Sequence, residues 1–137
     1  MPEFDCLCLS ARRAARSLTR MYEEELRPSG LTPAQFGLLN ILAMRPGLTQ
    51  MELATLVGAD QTTLSRSLKL LLSEKLIKST RSREDARETI HTLTAAGAIR
   101  HQAGKLHWEQ ADQMMRRKLG NDFGTALTLL RRVADAV

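Results

Sequence analysis

The chain has 137 residues, which suits a single domain, and its 43% hydrophobic content is enough to bury a core. Because aromatic residues make up only 4% of the chain, that core must consist mainly of Leu, Ala, Ile and Met, which favours packed helices over a β-sandwich. The net charge is +5, and within residues 61–100 Lys and Arg outnumber Asp and Glu by eight to four. A basic segment of this kind suits a nucleic-acid partner.

The apolar runs and the cysteines indicate where the protein works. No apolar run is long enough to cross a bilayer, and no basic segment followed by an apolar stretch marks a secretory signal. Cys6 and Cys8 lie in one short stretch, which is not a disulfide framework. We therefore expect a cytoplasmic protein that does not associate with a membrane.

Two helices are predicted over the first third of the chain. The first runs from about residue 5 to residue 27, where apolar side chains recur at helical spacing, and the Pro-Ser-Gly sequence at residues 28–30 ends it. The Thr-Pro-Ala-Gln sequence at residues 32–35 is a capping box with proline at the first helical position. It opens a second helix, which ends before the Pro-Gly pair at residues 46–47.

The next two helices are predicted to form a helix-turn-helix. Thr49 and Glu52 form a second capping box, which opens a short third helix. Gly58 lies where the end of a helix favours a left-handed residue. Asp60 then caps a fourth helix over about residues 61–75. Two helices joined by a turn of about three residues that contains glycine are the pattern of a helix-turn-helix.

A hairpin and two further helices complete the predicted fold. Segments rich in β-branched residues at 77–81 and 89–93, separated by a charged loop, predict a β-hairpin that we call the wing. A fifth helix is predicted over about residues 95–118, and a sixth begins after Asn121 or Asp122. The predicted fold class is therefore mainly α, a winged helix-turn-helix with about six helices and a small β-hairpin.

The fourth helix has one apolar side and one side suited to DNA. Leucines form the apolar stripe, and the opposite face is short, polar and cationic, with no acidic residue before Glu74. A recognition helix in the major groove uses such residues, because Arg bonds guanine, Gln reads adenine, and Thr or Ser contacts bases or phosphates. The candidate recognition residues are Gln61, Thr62, Thr63, Ser65, Arg66 and Lys69.

The wing provides a second candidate contact with DNA. An Arg at the tip of a hairpin can enter the narrow minor groove, where the negative potential is strongest. Arg83 and Arg87 are the candidates, and Asp85 can hold a neighbouring Arg by a charge-assisted hydrogen bond. His91 is predicted to lie on a wing strand near a phosphate.

Residues 49–94 resemble the DNA-binding core of the MarR family of transcriptional regulators. The resemblance rests on the stretch LTQMELATLVGADQTTLSRSLKLLLSEKLIKSTRSREDARETIHTLTAAG, with its helix-turn-helix, a D-x-R wing at residues 85–87 and a closing Leu93-Thr94 pair. Ser82 differs from the family, which often has Asp before the basic residue of the wing. The flanking helices match in order, so the resemblance covers nearly the whole chain.

The resemblance implies a single domain over the whole chain, with a winged-helix DNA-binding core at residues 30–94 and dimerisation helices at residues 1–29 and 95–137. It implies a homodimer that binds double-stranded DNA at a palindromic operator, usually as a repressor. It assigns recognition to the fourth-helix residues named above and the wing contact to Arg87, with Asp85 as its support. A dimer is also favoured physically, because one short recognition helix contacts few bases and two copies multiply affinity and specificity.

The sequence leaves three modes of regulation open. The spacing of Cys8 and Tyr22 is similar to that in the organic-hydroperoxide-sensing branch of the MarR family, in which a cysteine at this position is oxidised and the repressor leaves DNA. Tyr22 matches one tyrosine of that branch, whereas Arg12, Pro33 and Phe36 stand at the other positions. The alternatives are redox sensing by Cys8, a small-molecule effector in the cleft under the first helix, and regulation without a direct effector.

The sequence also bears on two other classes of protein, an enzyme and a protein-interaction module. An enzyme is not expected, because the sequence has no glycine-rich phosphate loop and no G-x-S-x-G, H-E-x-x-H or C-x-x-C motif. His101 and His107 are six residues apart and do not align on one helical face, so neither a metal nor a cofactor is expected. The remaining alternative is a helix-turn-helix module that binds proteins without binding DNA, although such modules usually lose the cationic residues of the fourth helix.

Overall fold

A computed structural model describes residues 5–137 of the chain, so the first four residues of the predicted N-terminal dimerisation segment lie outside the described part. The described residues are mainly helical with one small sheet, which confirms the predicted fold class. The α-helices are α1 (Leu7–Leu26), α2 (Pro33–Met44), α3 (Gln50–Val57), α4 (Gln61–Ser73), α5 (Ala95–Leu119) and α6 (Phe123–Asp135). The β-strands are β1 (Leu48–Thr49), β2 (Ile77–Arg81) and β3 (Thr89–Leu93).

Side-chain caps fix where the helices of the helix-turn-helix begin. Oγ1 of Thr49 accepts a hydrogen bond from the backbone N–H of Glu52, and the Glu52 carboxylate accepts one from the N–H of Thr49. Oδ1 of Asp60 accepts a hydrogen bond from the N–H of Thr63 at 2.8 Å, which opens α4. Gly58 ends α3 at φ +66°, in the left-handed region that favours glycine. The predicted turn between the two helices is therefore confirmed.

The sheet has one strand more than the predicted hairpin. β2 and β3 pair antiparallel and form the wing, and β1 adds to the other edge of β3, with Leu48 opposite His91. A strand of two residues is too short to show an alternating pattern in the sequence, which explains why it was not predicted. Because β1 runs directly into α3, the start of α3 is tied to the wing.

The core lies where α2, α3 and α4 meet the base of the wing. The apolar stripe of α4 is buried through Leu64, Leu68 and Leu71, whereas Leu72 is half-buried against the same cluster. Phe36 of α2 is 1% exposed. Burying a large apolar side chain stabilises the fold by about 1.5–3 kcal/mol. The buried leucines therefore hold α4 against the core, and its polar face is left outward.

Helix α5 packs across α1 and α2 and joins the core to the C-terminal part. Gly97 lies against the backbone carbonyl of Leu76, where a Cβ atom would overlap the oxygen. Gly104 lies under the ring of Phe36, so glycine allows α5 to approach at both points. Oγ1 of Thr94 accepts from the N–H of Gly97 and donates to the carbonyl of Lys75, which fixes the start of α5.

Helices α1 and α6 leave much of their apolar surface uncovered. Leu129 and Leu130 of α6 are 50% and 52% exposed, and no α6 residue is buried. α1, α5 and α6 line an open groove of about 720 Å³ whose walls are mostly apolar. None of the described helices combines the length and the apolar character needed to span a bilayer.

Candidate nucleic-acid interface

The polar face of α4 forms one side of an open groove on the surface. Of its cationic residues, Arg66 and Lys69 are exposed, and no carboxylate lies anywhere within α4. The groove has a volume of about 500 Å³, and five of the six predicted recognition residues line it. These five are Gln61, Thr62, Ser65, Arg66 and Lys69. Thr63 is exposed on the first turn of α4 but does not line the groove.

Asp60 is the acidic residue that directly precedes this face, and its carboxylate caps the N-terminus of α4. The backbone N–H of Thr63 lowers the pKa of the Asp60 carboxyl below 3.8, with further contributions from the Thr63 hydroxyl and, to a smaller extent, from Arg66. The carboxylate is thus held at the N-terminus of α4, where the helix dipole favours a negative charge. Arg66 and Lys69 remain outside any ion pair seen among residues 5–137.

Gln50 is a groove residue that the sequence analysis did not identify. It is the first residue of α3, and its side-chain Nε2 lies 3.3 Å from Oε1 of Gln61, the first residue of α4. The two residues are eleven positions apart, so no helical periodicity connects them. The contact depends on how α3 and α4 cross in the helix-turn-helix, and the sequence predicts that motif but not which side chains of the two helices meet.

The tip of the wing is organised around Ser82 and Asp85. Oγ of Ser82 accepts hydrogen bonds from the backbone N–H groups of Glu84 and Asp85, at 3.2 Å and 3.4 Å. Oδ1 of Asp85 accepts from the backbone N–H and from Nε of Arg87, at 3.0 Å and 3.3 Å. The Ser82 hydroxyl therefore orders the loop at the position where the family often has Asp.

The two arginines of the loop between β2 and β3, Arg83 and Arg87, point into solvent. The Arg87 side chain is 92% exposed although it pairs with Asp85, and Arg83 is exposed as well. An ion pair at this exposure adds little to folding stability, so its main effect is to orient the guanidinium. The loop at the tip of the wing thus presents two exposed cations.

The prediction that His91 lies near a phosphate is wrong. His91 is on β3 but is 6% exposed, and its Nδ1 lies 2.9 Å from Oγ of Ser79 on β2. Burial lowers the pKa of His91 below 6.5, which favours the neutral ring. The register of the wing explains the error, because alternate residues of a strand face opposite sides and His91 faces inward.

Cys8 lies in the exposed first turn of α1, and Cys6 precedes that helix as its half-buried N-cap. Tyr22 lies fourteen residues further along α1, which corresponds to about 21 Å of helix. Its ring packs against Trp108 with the centroids 4.2 Å apart, and burial and then the charge of Asp112 raise the pKa of the Tyr22 hydroxyl. Within one chain, Tyr22 therefore cannot hydrogen-bond Cys8.

His101 of α5 contacts two residues of α2. Nε2 of His101 lies 2.9 Å from Oδ1 of Asn40, and the ring stacks on Phe36. Within residues 5–137, no three His, Cys, Asp or Glu side chains are grouped so that they could hold a metal ion. His101 joins α5 to α2 as part of the packing.

Comparison with known protein families identifies the class of this fold. A model described as MarR family matches residues 29–88, which contain the helix-turn-helix and most of the wing. The chain is 33% identical over 79 residues to the HTH-type transcriptional regulator BilQ of Clostridium symbiosum. It is 30% identical over 93 residues to the organic hydroperoxide resistance transcriptional regulator of Bacillus subtilis. The matches cover 58% and 68% of this chain but only 55% and 63% of these two relatives.

A solved structure matches over a longer part of the chain. The crystal structure of the Mycobacterium tuberculosis transcriptional regulator MosR in complex with DNA superposes with a TM-score of 0.87 at 32% identity. The superposition covers 96% of this chain and 96% of MosR, so it includes α1, α5 and α6 as well as the winged helix. Together with the family match, this agreement shows that the chain belongs to the MarR family of transcriptional regulators.

Proposed function

We propose that this protein is a sequence-specific transcriptional regulator that binds double-stranded DNA as a homodimer. The observation that carries the proposal is the polar face of α4, which is outward, cationic and free of carboxylates along its whole length. The resemblance to MosR, whose structure was solved in complex with DNA, supports it. A helix of this kind fits the major groove, which is about 12 Å wide.

Each part of the polar face has a role in this proposal. Arg66 forms bidentate bonds to a guanine, and Gln61 reads an adenine. Lys69 neutralises a phosphate and thereby releases counterions. The short hydroxyl residues Thr62, Thr63 and Ser65 contact bases or backbone without holding the helix away from the groove.

The wing acts at the neighbouring minor groove. Arg87 enters the groove, and Asp85 restricts its guanidinium through the hydrogen bond to Nε. Arg83 contacts the phosphate backbone next to it. The hydrogen bonds that hold the loop in one conformation favour binding, because a cation on a flexible tip would lose more conformational entropy when it binds DNA.

The dimer is built from the surfaces that one chain leaves uncovered. We assign residues 30–94 to the DNA-binding core and residues 1–29 and 95–137 to dimerisation, because α1 and α6 expose apolar side chains along the groove that they share with α5. Two recognition helices related by a twofold axis read a palindrome whose half-sites lie about 34 Å apart. Bound at a promoter, such a dimer acts as a repressor in the cytoplasm.

Release from DNA follows one of two routes in this proposal. A small-molecule effector binds in the cleft under α1, beside the apolar groove, and changes the spacing of the recognition helices. Alternatively, an organic hydroperoxide oxidises Cys8, whose exposure permits the reaction. The thiolate sulfur then attacks the terminal peroxide oxygen and the O–O bond breaks, which forms cysteine sulfenic acid and an alkoxide that takes a proton from water to become the alcohol.

Selection of DNA from a randomised duplex library tests this function. Enrichment of a palindrome, followed by tight binding with a steep salt dependence in fluorescence anisotropy, supports the regulator. A protein that enriches no motif and binds no duplex with measurable affinity is instead the protein-interaction module. Repeating the titration after treatment with an organic hydroperoxide, and then with a thiol, separates the two routes of release. Reversible loss of binding that a Cys8→Ser variant does not show identifies Cys8 as the sensor.

A further inference from the structure

The starts of the two helices of the helix-turn-helix are joined by a pair of glutamine side chains. Gln50 begins α3 and Gln61 begins α4, and Nε2 of Gln50 donates to Oε1 of Gln61 over 3.3 Å. Both side chains line the groove along the polar face of α4. The pair therefore lies in the groove where DNA is expected to bind.

Gln50 projects from a rigid point of the fold. The preceding residue, Thr49, belongs to β1, which pairs with β3, and forms the reciprocal capping box with Glu52. Gln50 is half-buried, whereas Gln61 is exposed. A donor held in this way limits the rotation of the more exposed amide that it contacts.

The orientation of a glutamine amide decides which purine it matches. In the major groove, adenine offers an acceptor at N7 and a donor at N6. It therefore needs an amide whose NH₂ faces N7 and whose C=O faces N6. Guanine offers two acceptors, N7 and O6, and an amide that can rotate freely can direct its NH₂ at either of them. Oε1 of Gln61 has two lone pairs, so it can accept from Gln50 and still accept from N6 of adenine.

We propose that Gln50 is a positioning residue that fixes the amide of Gln61, so that the pair selects adenine over guanine at one base pair of each half-site. This inference rests on the proposed function, because it concerns how the α4 groove reads DNA. Gln50 acts through Gln61 and makes no base contact of its own.

The test compares four full-length variants with the wild type on one selected duplex and on its derivative with adenine replaced by guanine. Gln61→Ala reduces the ratio of the two affinities by about five-fold to a hundred-fold. Gln50→Ala reduces the ratio at the same base pair by about two- to tenfold, as expected for one hydrogen bond. The double variant shows no further loss beyond Gln61→Ala, because the two residues act together. Met51→Ala, which changes the exposed neighbour of Gln50, leaves the ratio unchanged.

Three results overturn the inference, and they can be told apart. If Gln50→Ala weakens binding to both duplexes equally, Gln50 is a phosphate contact and not a positioning residue. If Gln50→Ala changes neither affinity, or changes the base preference only at a position that Gln61→Ala does not affect, the two glutamines do not act together in selecting adenine. If the wild type enriches no motif at all from the library, the proposed function itself is wrong. Thermal unfolding of each variant verifies that the fold is retained.

Discussion

At the level of single residues, the proposed DNA contact of Arg87 at the wing tip leads to a prediction about the electrostatic part of the affinity. Arg87 is exposed, and Asp85 orients it without removing it from solvent. We expect Arg87→Ala to weaken binding to all duplexes and to reduce the slope of log Kd against log salt by about one, because one cation is lost from the proposed DNA interface. The measurement is an anisotropy titration between about 50 and 200 mM salt.

A matched control removes the same charge elsewhere. Lys105→Ala lowers the net charge equally from an exposed position on α5, outside both the polar face of α4 and the wing. It should leave the salt slope nearly unchanged. Equal slopes for wild type and Arg87→Ala would contradict the assignment of Arg87 to the DNA interface.

Two buried histidines should make the fold sensitive to acid. Burial lowers the pKa of His91, and burial together with the charge of Lys105 lowers the pKa of His101, both from 6.5. As the pH falls below 6.5, the unfolded chain binds more protons than the folded protein, so the free energy of unfolding decreases until the pH passes the lower folded-state values.

The change in thermal midpoint between about pH 8 and pH 5 measures this effect. His101→Gln keeps a side chain that can donate to Asn40 but cannot titrate. We expect this variant to lose less stability on acidification than the wild type. The explanation fails if the wild type and His101→Gln show the same decrease.

The residues of the candidate site could be predicted only where one helix carried the pattern. The polar face of α4 was evident from the sequence because Thr62, Arg66 and Lys69 recur at helical spacing. Gln50 was missed because its partner lies on another helix, and contacts between elements leave no period in the sequence. His91 was misplaced because residue type alone does not show which side of a strand faces inward.

Among the secondary-structure elements, one threonine connects the turn that follows α4 to the start of α5. Thr94 donates to the carbonyl of Lys75, which has a left-handed φ of +58°, and accepts from the N–H of Gly97. We expect Thr94→Ala to lower the free energy of unfolding by about 1–2 kcal/mol, since it removes a helix cap and a second hydrogen bond. Urea denaturation at a fixed protein concentration measures it.

The matched variant is Thr94→Ser, which retains the hydroxyl and lacks only a methyl group. It should keep most of the stability that Thr94→Ala loses. Similar losses in both variants would mean that the methyl group, and not the hydrogen bonding, fixes the start of α5.

The helices were predictable because their ends are marked by local chemistry. The caps at Thr49 and Asp60 and the glycine at 58 specify the helix-turn-helix within a few residues, whatever the rest of the chain does. β1 could not be predicted, because its two residues become a strand only by pairing with β3. The elements that depend on local sequence were therefore foreseen, and the one that depends on a distant partner was not.

At the scale of the whole molecule, the exposed leucines of α6 indicate that one chain does not complete its own apolar surface. Leu130 is 52% exposed and lines the groove between α1, α5 and α6. We expect Leu130→Glu to weaken dimerisation by more than about 100-fold, because two charges would enter one apolar interface. Sedimentation or light scattering measures the mass of the protein in solution and so distinguishes monomer from dimer. The affinity for a palindrome should decrease as the dimer is lost.

Met44→Glu provides the control, because Met44 is 68% exposed and lies at the end of α2, outside the proposed dimerisation helices. It places the same charge on a comparably exposed apolar residue and should leave the dimer intact. A Leu130→Glu protein that remains a dimer at low concentration would place the interface elsewhere.

Whether α4 reads bases is tested by the ratio of the affinities for the selected palindrome and for a scrambled duplex of the same composition, both measured at one salt concentration. Reading of bases by α4 predicts that the wild type prefers the palindrome by about 1,000-fold or more. It also predicts a base-specific effect of Arg66→Ala. At one base pair of each half-site, this variant should discriminate against a substituted base by about five-fold less than the wild type, or worse. Equal affinity of the wild type for the two duplexes would show that α4 does not read bases.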